Sequence, residues 1–188
     1  MSMFYALMAL CLPGNILAQV VTSGDCPDVD VQENFDMSKF GGKWYQQARF
    51  YASFQTDTEC PIFEYVIGAN NTVIGVSTAI STLTGVERKF EEEVLTPDLK
   101  EPAKLLINIP LSPVEGYNNL LVLGTDYDNW GVLFCCTVAR DKNVQYAWIL
   151  SRVSVPDDSA LASVNAVLLK NKIDTSLFEK IEQEGCRK

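Results

Sequence analysis

Residues 34–50 read NFDMSKFGGKWYQQARF, and the fold turns on the centre of that stretch. A lead-in with several polar residues ends at Gly41 and Gly42, after which Lys43 opens a run of strand character that carries Trp44. Tryptophan needs a large apolar space and a partner for its indole N–H. Glycine reaches backbone conformations that other residues avoid. Two glycines just before a tryptophan therefore predict a first strand that enters a closed core.

Two distant pieces belong with it. Thr125-Asp126-Tyr127 falls between two apolar runs, where Asp and Thr side chains can bond to backbone and hold a tight turn. Arg152 ends the strand-like run 145–151, and its flat guanidinium is suited to lie over the face of Trp44, a contact of about 0.5–2 kcal/mol. Gly42-x-Trp44 early, Thr125-Asp126-Tyr127 in the middle and Arg152 after the last strand resemble the three signature motifs of the lipocalins. That resemblance implies an all-β chain, an eight-stranded antiparallel up-and-down barrel with one C-terminal α-helix packed on it. The motifs build and close the bottom of such a barrel, so they speak to fold before ligand.

Composition agrees. A chain of 188 residues suits one domain with a real core. Its 47% hydrophobic content is ordinary for a globular protein, and a net charge of -9 argues against a nucleic-acid surface or an anionic membrane. Residues 1–18 carry no charged side chain, have an apolar stretch at 3–12 and break at Pro13-Gly14. They read as a signal peptide cleaved after Ala18, leaving a single secreted, extracellular domain at 19–188. No later run is long enough to be a transmembrane segment. Of the 6 cysteines, Cys11 leaves with the leader. Cys26, Cys60, Cys135, Cys136 and Cys186 remain, an odd set read as two disulfides and one free thiol, with the pairing left open by spacing alone. Their spacing and the absence of histidine give no metal site.

The strand pattern is regular. Runs at 43–52, 62–68, 72–79, 86–95, 104–109, 117–124, 131–138 and 145–151 read as strands with short connections, the pattern of an up-and-down barrel with room for one small ligand. Residues 53–59 read as a polar loop. Ala69-Asn70-Asn71 reads as a hairpin turn, and Asn70-Asn71-Thr72 is a glycosylation sequon that makes Asn70 a candidate. From 156 to 170 the period becomes helical, with Leu161, Val164, Val167 and Leu168 behind Pro156, Asp157 and Asp158. The run Glu91-Glu92-Glu93 reads as a solvated edge or outer face, its middle carboxylate turned away from the other two and Phe90 and Val94 packing on the alternate face.

Within the family, the lead-in, TDYDNW, the following FCC and YAWILSR are similar to the arthropod pigment carriers of the bilin-binding protein and insecticyanin group, with crustacyanin and apolipoprotein D as more distant likenesses. The resemblance implies the disulfides Cys26–Cys136 and Cys60–Cys186. Cys135 has no counterpart there, and alternation turns it to the face opposite Cys136, into the barrel. Its ordinary reading is a small buried hydrophobe; the sharper one is a pocket thiol. Alternation and motif mapping give Gln46 and Ala48 in phase with Trp44, Leu133 with Cys135, and Tyr146 with Trp148 as the ligand-binding candidates.

The function so implied is a secreted carrier of a small hydrophobic ligand, most nearly a biliverdin-type bilin held by Tyr146, Gln46 and a cation at the mouth. The chain has no histidine, where pigment-binding relatives often place one, so a carotenoid, retinoid, sterol or fatty acid stands as the alternative. No cofactor is required and no catalytic residue is expected. One lipocalin group, the prostaglandin D synthases, uses a free pocket cysteine, but early in the barrel, and without histidine Cys135 would need Lys or Arg for activation. Crustacyanin-type relatives assemble, which implies a homo- or hetero-oligomer as a further arrangement.

Overall fold

The computed structural model describes residues 19–109 and 116–186, so the expected leader at 1–18 lies outside the described residues. In chain order the elements are β1 (Val20–Ser23), the single turn α1 (Met37–Phe40), β2 (Gly42–Phe50), β3 (Thr58–Ile67), β4 (Val73–Ser81), β5 (Glu87–Val94), β6 (Lys104–Ile107), β7 (Asn118–Thr125), β8 (Trp130–Ala139), β9 (Lys142–Ser151), α2 (Asp158–Lys170) and β10 (Phe178–Lys180). The strands lie in the order β5-β4-β3-β2-β9-β8-β7-β6. Leu95 and Leu106 exchange backbone hydrogen bonds of 3.0 and 2.9 Å, which joins the two ends of that order into a ring. This is the expected barrel. β1 adds to β9 and β10 to β2 as short outer strands, of 4 and 3 residues, too brief to leave a readable period.

Side-chain alternation divides the core in two. Trp44, Tyr65, Leu105, Leu120, Leu133, Cys135, Tyr146 and Trp148 fill the inside. Phe50, Leu123, Val132, Phe134, Cys136 and Ala147 face outward against Val164 and Leu168 of α2. The helix starts where Asp157 caps it, accepting from Ala160 N at 2.9 Å. Its buried stripe is Ala160, Val164 and Leu168, four residues apart. Leu161, expected on this face, is instead 40% exposed, because it lies one step round the helix from Ala160. Val167 fits closely because Gly124 has no side chain; a Cβ there would come within 2.8 Å of it.

Cys26–Cys136 ties the N-terminal segment to β8, and Cys60–Cys186 ties β3 to the C-terminal tail, with sequence separations of 110 and 126. Loops of that size correspond to about 4–5 kcal/mol per bridge on the chain-entropy account, an upper-end figure.

The three motifs meet at one end of the barrel. Trp44 is fully buried and donates Nε1–H to the carbonyl of Phe40 at 2.8 Å. The Arg152 guanidinium lies 3.6 Å from the Trp44 ring centroid and donates to the carbonyls of Tyr127, Lys43, Lys39 and Phe40. Gly42 stands beside it at φ +85, a conformation costly for any residue with a side chain. In the turn between β7 and β8, Asp126 accepts from the backbone N–H groups of Asp128, Asn129 and Trp130. Thr125 Oγ1 donates to the carbonyl of Trp130 at 2.7 Å, and the Tyr127 hydroxyl accepts from Asp36 N at 3.0 Å. With this end sealed, any ligand must pass through the other.

Candidate functional site

Toward the open end β2 departs from strict alternation. Its register against β9 shifts between Gln46 and Ala48, so Gln46 pairs with Leu150 but Ala48 pairs with Ile149 and Arg49 with Trp148. The extra residue in the bulge turns Ala48 to the outer face, alongside Ile149, and brings Arg49 to the inner one. The expectation that Ala48 lines the pocket is therefore corrected. A bulge leaves the apolar pattern of the flanking residues unchanged, so nothing in the sequence announced it.

Inside lies a cavity of about 330 Å³. Phe54, Phe63, Phe90, Ile107, Ile109, Leu120, Leu133 and Trp148 give it an apolar wall, and Gln46, Gln55, Thr58, Tyr65, Ser77, Arg88 and Glu92 give it polar points. The size is at the lower end of small-molecule sites, and the mix is their usual character.

The short 3₁₀ turn Ser53–Gln55 folds over the mouth. Phe54 packs on Tyr146 with ring centroids 5.6 Å apart. Gln55 ties the mouth together: its Nε2 donates to Gln46 Oε1 at 3.2 Å, its Oε1 accepts from Trp148 Nε1 at 3.0 Å, and its carbonyl accepts from Arg49 and Thr58. Residues 53–59 read only as a polar loop in the sequence, so Gln55 was missed.

Of the ligand-binding candidates, Gln46, Leu133 and Trp148 are brought together in the cavity wall. Tyr146 and Cys135 point inward but sit outside that wall. Tyr146 is stacked 6.0 Å from Trp148 under Phe54, and its hydroxyl accepts from Gln19 Nε2 at 2.9 Å. Cys135 is fully buried between its cross-strand neighbours Leu120 and Tyr146. Burial pushes its thiol up to about 12, so the group stays protonated and a poor nucleophile. The pocket-thiol reading is corrected on both counts: Cys135 is the small buried hydrophobe.

β5 supplies what the sequence reading missed. Arg88, Phe90 and Glu92 line the cavity together with Lys89, which pairs with Glu91 at 2.6 Å, and Glu93 accepts from the Tyr117 hydroxyl at 3.3 Å. The middle carboxylate does point away from its neighbours, but into the barrel and not to solvent. Burial pushes Glu92 up to about 8, and its Oε2 is buried without a hydrogen-bond partner. The signal was the phase of Phe90 and Val94, which share its face. At the rim Arg88 donates to the carbonyl of Thr56 at 3.3 Å. Among the described residues no group of three or more His, Cys, Asp or Glu could hold a metal ion.

The family model described as Lipocalin / cytosolic fatty-acid binding protein family matches residues 41–185. The chain belongs to the lipocalin family. This lipocalin is 30% identical over 165 residues to apolipoprotein D of Mus musculus, covering 87% of this chain and 85% of that protein. It is 29% identical over 162 residues to insecticyanin-B of Manduca sexta, covering 82% and 77%. Among solved structures, insecticyanin from the tobacco hornworm superposes with a TM-score of 0.77 at 26% identity, covering 88% of this chain and 89% of that one. Lobster apocrustacyanin A1 superposes at 0.74 and 24% identity, covering 88% and 92%, which bears on the fold alone. As a lipocalin the chain is a carrier of small hydrophobic ligands, and the barrel cavity is where such a ligand fits. No helix among the described residues is long and apolar enough to cross a membrane.

Proposed function

We propose that this lipocalin is a secreted pigment carrier whose cavity takes a biliverdin-type bilin. The observation that carries the reading is the cavity's division of labour. Trp148 and Phe63, 6.0 Å apart and edge to face, offer a flat conjugated ligand an aromatic wall; Gln46 and Gln55 offer hydrogen bonds; Arg88 offers a cation to carboxylates at the mouth. The sequence likeness to the insect pigment carriers supports the same choice. Burying about 300 Å² of apolar ligand surface at ~25 cal/mol/Å² gives roughly 7 kcal/mol gross. With a few polar contacts that reaches micromolar binding, which is about 8 kcal/mol.

Two long-range disulfides support an oxidising, extracellular destination for the domain that follows the leader. Asn70 is exposed, with φ 62, in the turn between β3 and β4, which supports it as the glycosylation candidate. Assembly with a second subunit belongs to the same reading and is checked by light scattering with and without pigment.

The test is a set of parallel titrations with biliverdin, retinol and oleic acid, following tryptophan quenching and, for biliverdin, the visible band. The pigment reading expects a red-shifted, saturable band at one biliverdin per chain and at least tenfold weaker quenching by the other two. Saturable quenching by retinol or oleic acid, with biliverdin's spectrum unchanged, would replace the pigment with a neutral lipid or fatty acid.

A further inference from the structure

The deepest part of the cavity is polar. Tyr65, Gly75 and Glu92 stand side by side across β3, β4 and β5, in register with one another. Gly75 leaves the gap into which the Glu92 side chain folds: a Cβ there would lie 3.3 Å from Glu92 Cγ and 3.5 Å from Oε1. Tyr65 is 6% exposed and packs on Phe40, at the sealed end of the barrel. Both Tyr65 and Glu92 line the cavity. Glu92 Oε2 has no hydrogen-bond partner, and the Tyr65 hydroxyl makes no hydrogen bond among the described residues. Buried polar groups are ordinarily satisfied, and a buried carboxyl oxygen left unsatisfied on the cavity floor, beside a tyrosine hydroxyl that also lines it, marks a place where a ligand supplies the partner.

Given the cavity as the ligand site proposed above, we propose that Glu92 and Tyr65 form an anchor for a hydrogen-bond donor, an N–H or O–H, at the leading end of the ligand. A carboxylate at that end would face the Glu92 carboxyl and is disfavoured. Arg88 lies four residues earlier on the same strand, about 13 Å away along it, and meets an acidic group at the rim. The ionisable groups of the cavity wall are Tyr65, Arg88, Lys89 and Glu92, so the floor holds no cation to offset the glutamate. The site thus selects an amphipathic ligand and its direction, donor end inward and acid end outward. The pyrrole N–H groups and propionates of a bilin satisfy that rule, but so does any elongated molecule of the same polarity.

Decylamine, 1-decanol and decanoic acid share one chain and differ only in the head group, which makes them the probes. Each is titrated into the full secreted chain at pH 9.5, above the value near 8 to which burial holds the Glu92 proton, so that its carboxylate is charged, with tryptophan quenching as the readout. Decylamine binds at least about tenfold more tightly than decanoic acid, tenfold being the lower end for one hydrogen bond to a charged group, and decanol falls between. Glu92→Gln, which keeps the shape, brings amine and acid within about threefold. Tyr65→Phe weakens decanol about threefold and leaves decanoic acid unchanged. Decanoic acid binding as tightly as the amine to the unaltered chain, an amine preference that survives Glu92→Gln, or no quenching by any of the three overturns the anchor. Biliverdin failing to bind while the amine preference holds overturns only the pigment reading.

Discussion

Removing the Arg152 side chain is expected to loosen the sealed end of the barrel without touching the cavity. The guanidinium donates to the carbonyls of Tyr127 and Lys43 at 2.9 Å, of Lys39 at 3.0 Å and of Phe40 at 3.3 Å, and lies 3.6 Å from the centroid of Trp44. Hydrogen bonds to a charged group are worth about 1.5–3 kcal/mol each. At a half-exposed site water replaces most of that, leaving about 2 kcal/mol for the set, and the stacked cation adds about 1 kcal/mol. Arg152→Ala should therefore cost about 3 kcal/mol. For a chain of this size that is about 6–12 °C in melting temperature. Arg152→Lys keeps the charge but not the planar fork, and should recover no more than about half. Urea unfolding of the apo protein measures both. Biliverdin affinity, read at a urea-free temperature where each variant is folded, should stay within twofold, because Arg152 lies at the end opposite the mouth. A loss below 1 kcal/mol in Arg152→Ala, or full recovery in Arg152→Lys, would refute the reasoning that this one side chain clasps three segments through four carbonyls.

Other expectations follow from the same contacts. Replacing Cys60 and Cys186 together by Ser should cost up to about 4–5 kcal/mol in urea unfolding and free the C-terminal tail to limited proteolysis, since the bridge closes a separation of 126 residues; an unchanged midpoint would contradict it. Cys135, with its thiol pushed up to about 12, should resist iodoacetamide at pH 8 in the folded chain and react at once in urea; labelling of the native protein, seen by mass, would show an open thiol. Glu92 holds its proton to about 8 when folded but only to about 4.3 when unfolded. The folded chain thus binds more protons between these values, and stability is lost as pH rises through them. At 1.36 kcal/mol per unit, roughly halved because water reaches the cavity, Glu92→Gln should gain about 2 kcal/mol on the parent between pH 5 and pH 9; parallel pH profiles would contradict the burial of that carboxyl.

The barrel was legible because its causes are carried by short motifs. Gly42 before Trp44, the Thr125 and Asp126 side chains folding back on their own turn, and Arg152 at the end of β9 act through chemistry that the residue types themselves announce. The disulfides came through likeness and not through spacing, which left the cysteines unpaired on paper. The cavity was half legible. Gln46, Leu133 and Trp148 follow from alternation, but Ala48 does not, because one bulged residue reverses the phase of everything after it. Tyr146 and Cys135 face inward as read, yet Phe54 and the neighbouring rings exclude them from the cavity, a matter of packing that no period encodes. Glu92 was misread for the opposite reason. Charge suggested solvent, while the phase it shares with Phe90 and Val94 put it inside, and the space that admits it is open because Gly75, its direct pair on the neighbouring strand, lacks a side chain.

The measurement that bears most directly on the central claim is a biliverdin titration of the unaltered chain and of Leu133→Trp side by side. Leu133 is 1% exposed and in the cavity wall, so an indole there fills the space the pigment would occupy, whereas the sealed end and both disulfides are untouched. The account predicts a saturable red-shifted band at one pigment per chain in the first protein and its loss in the second, with both still unfolding cooperatively in urea. An equal band in the two proteins would place any pigment outside the barrel and contradict the account.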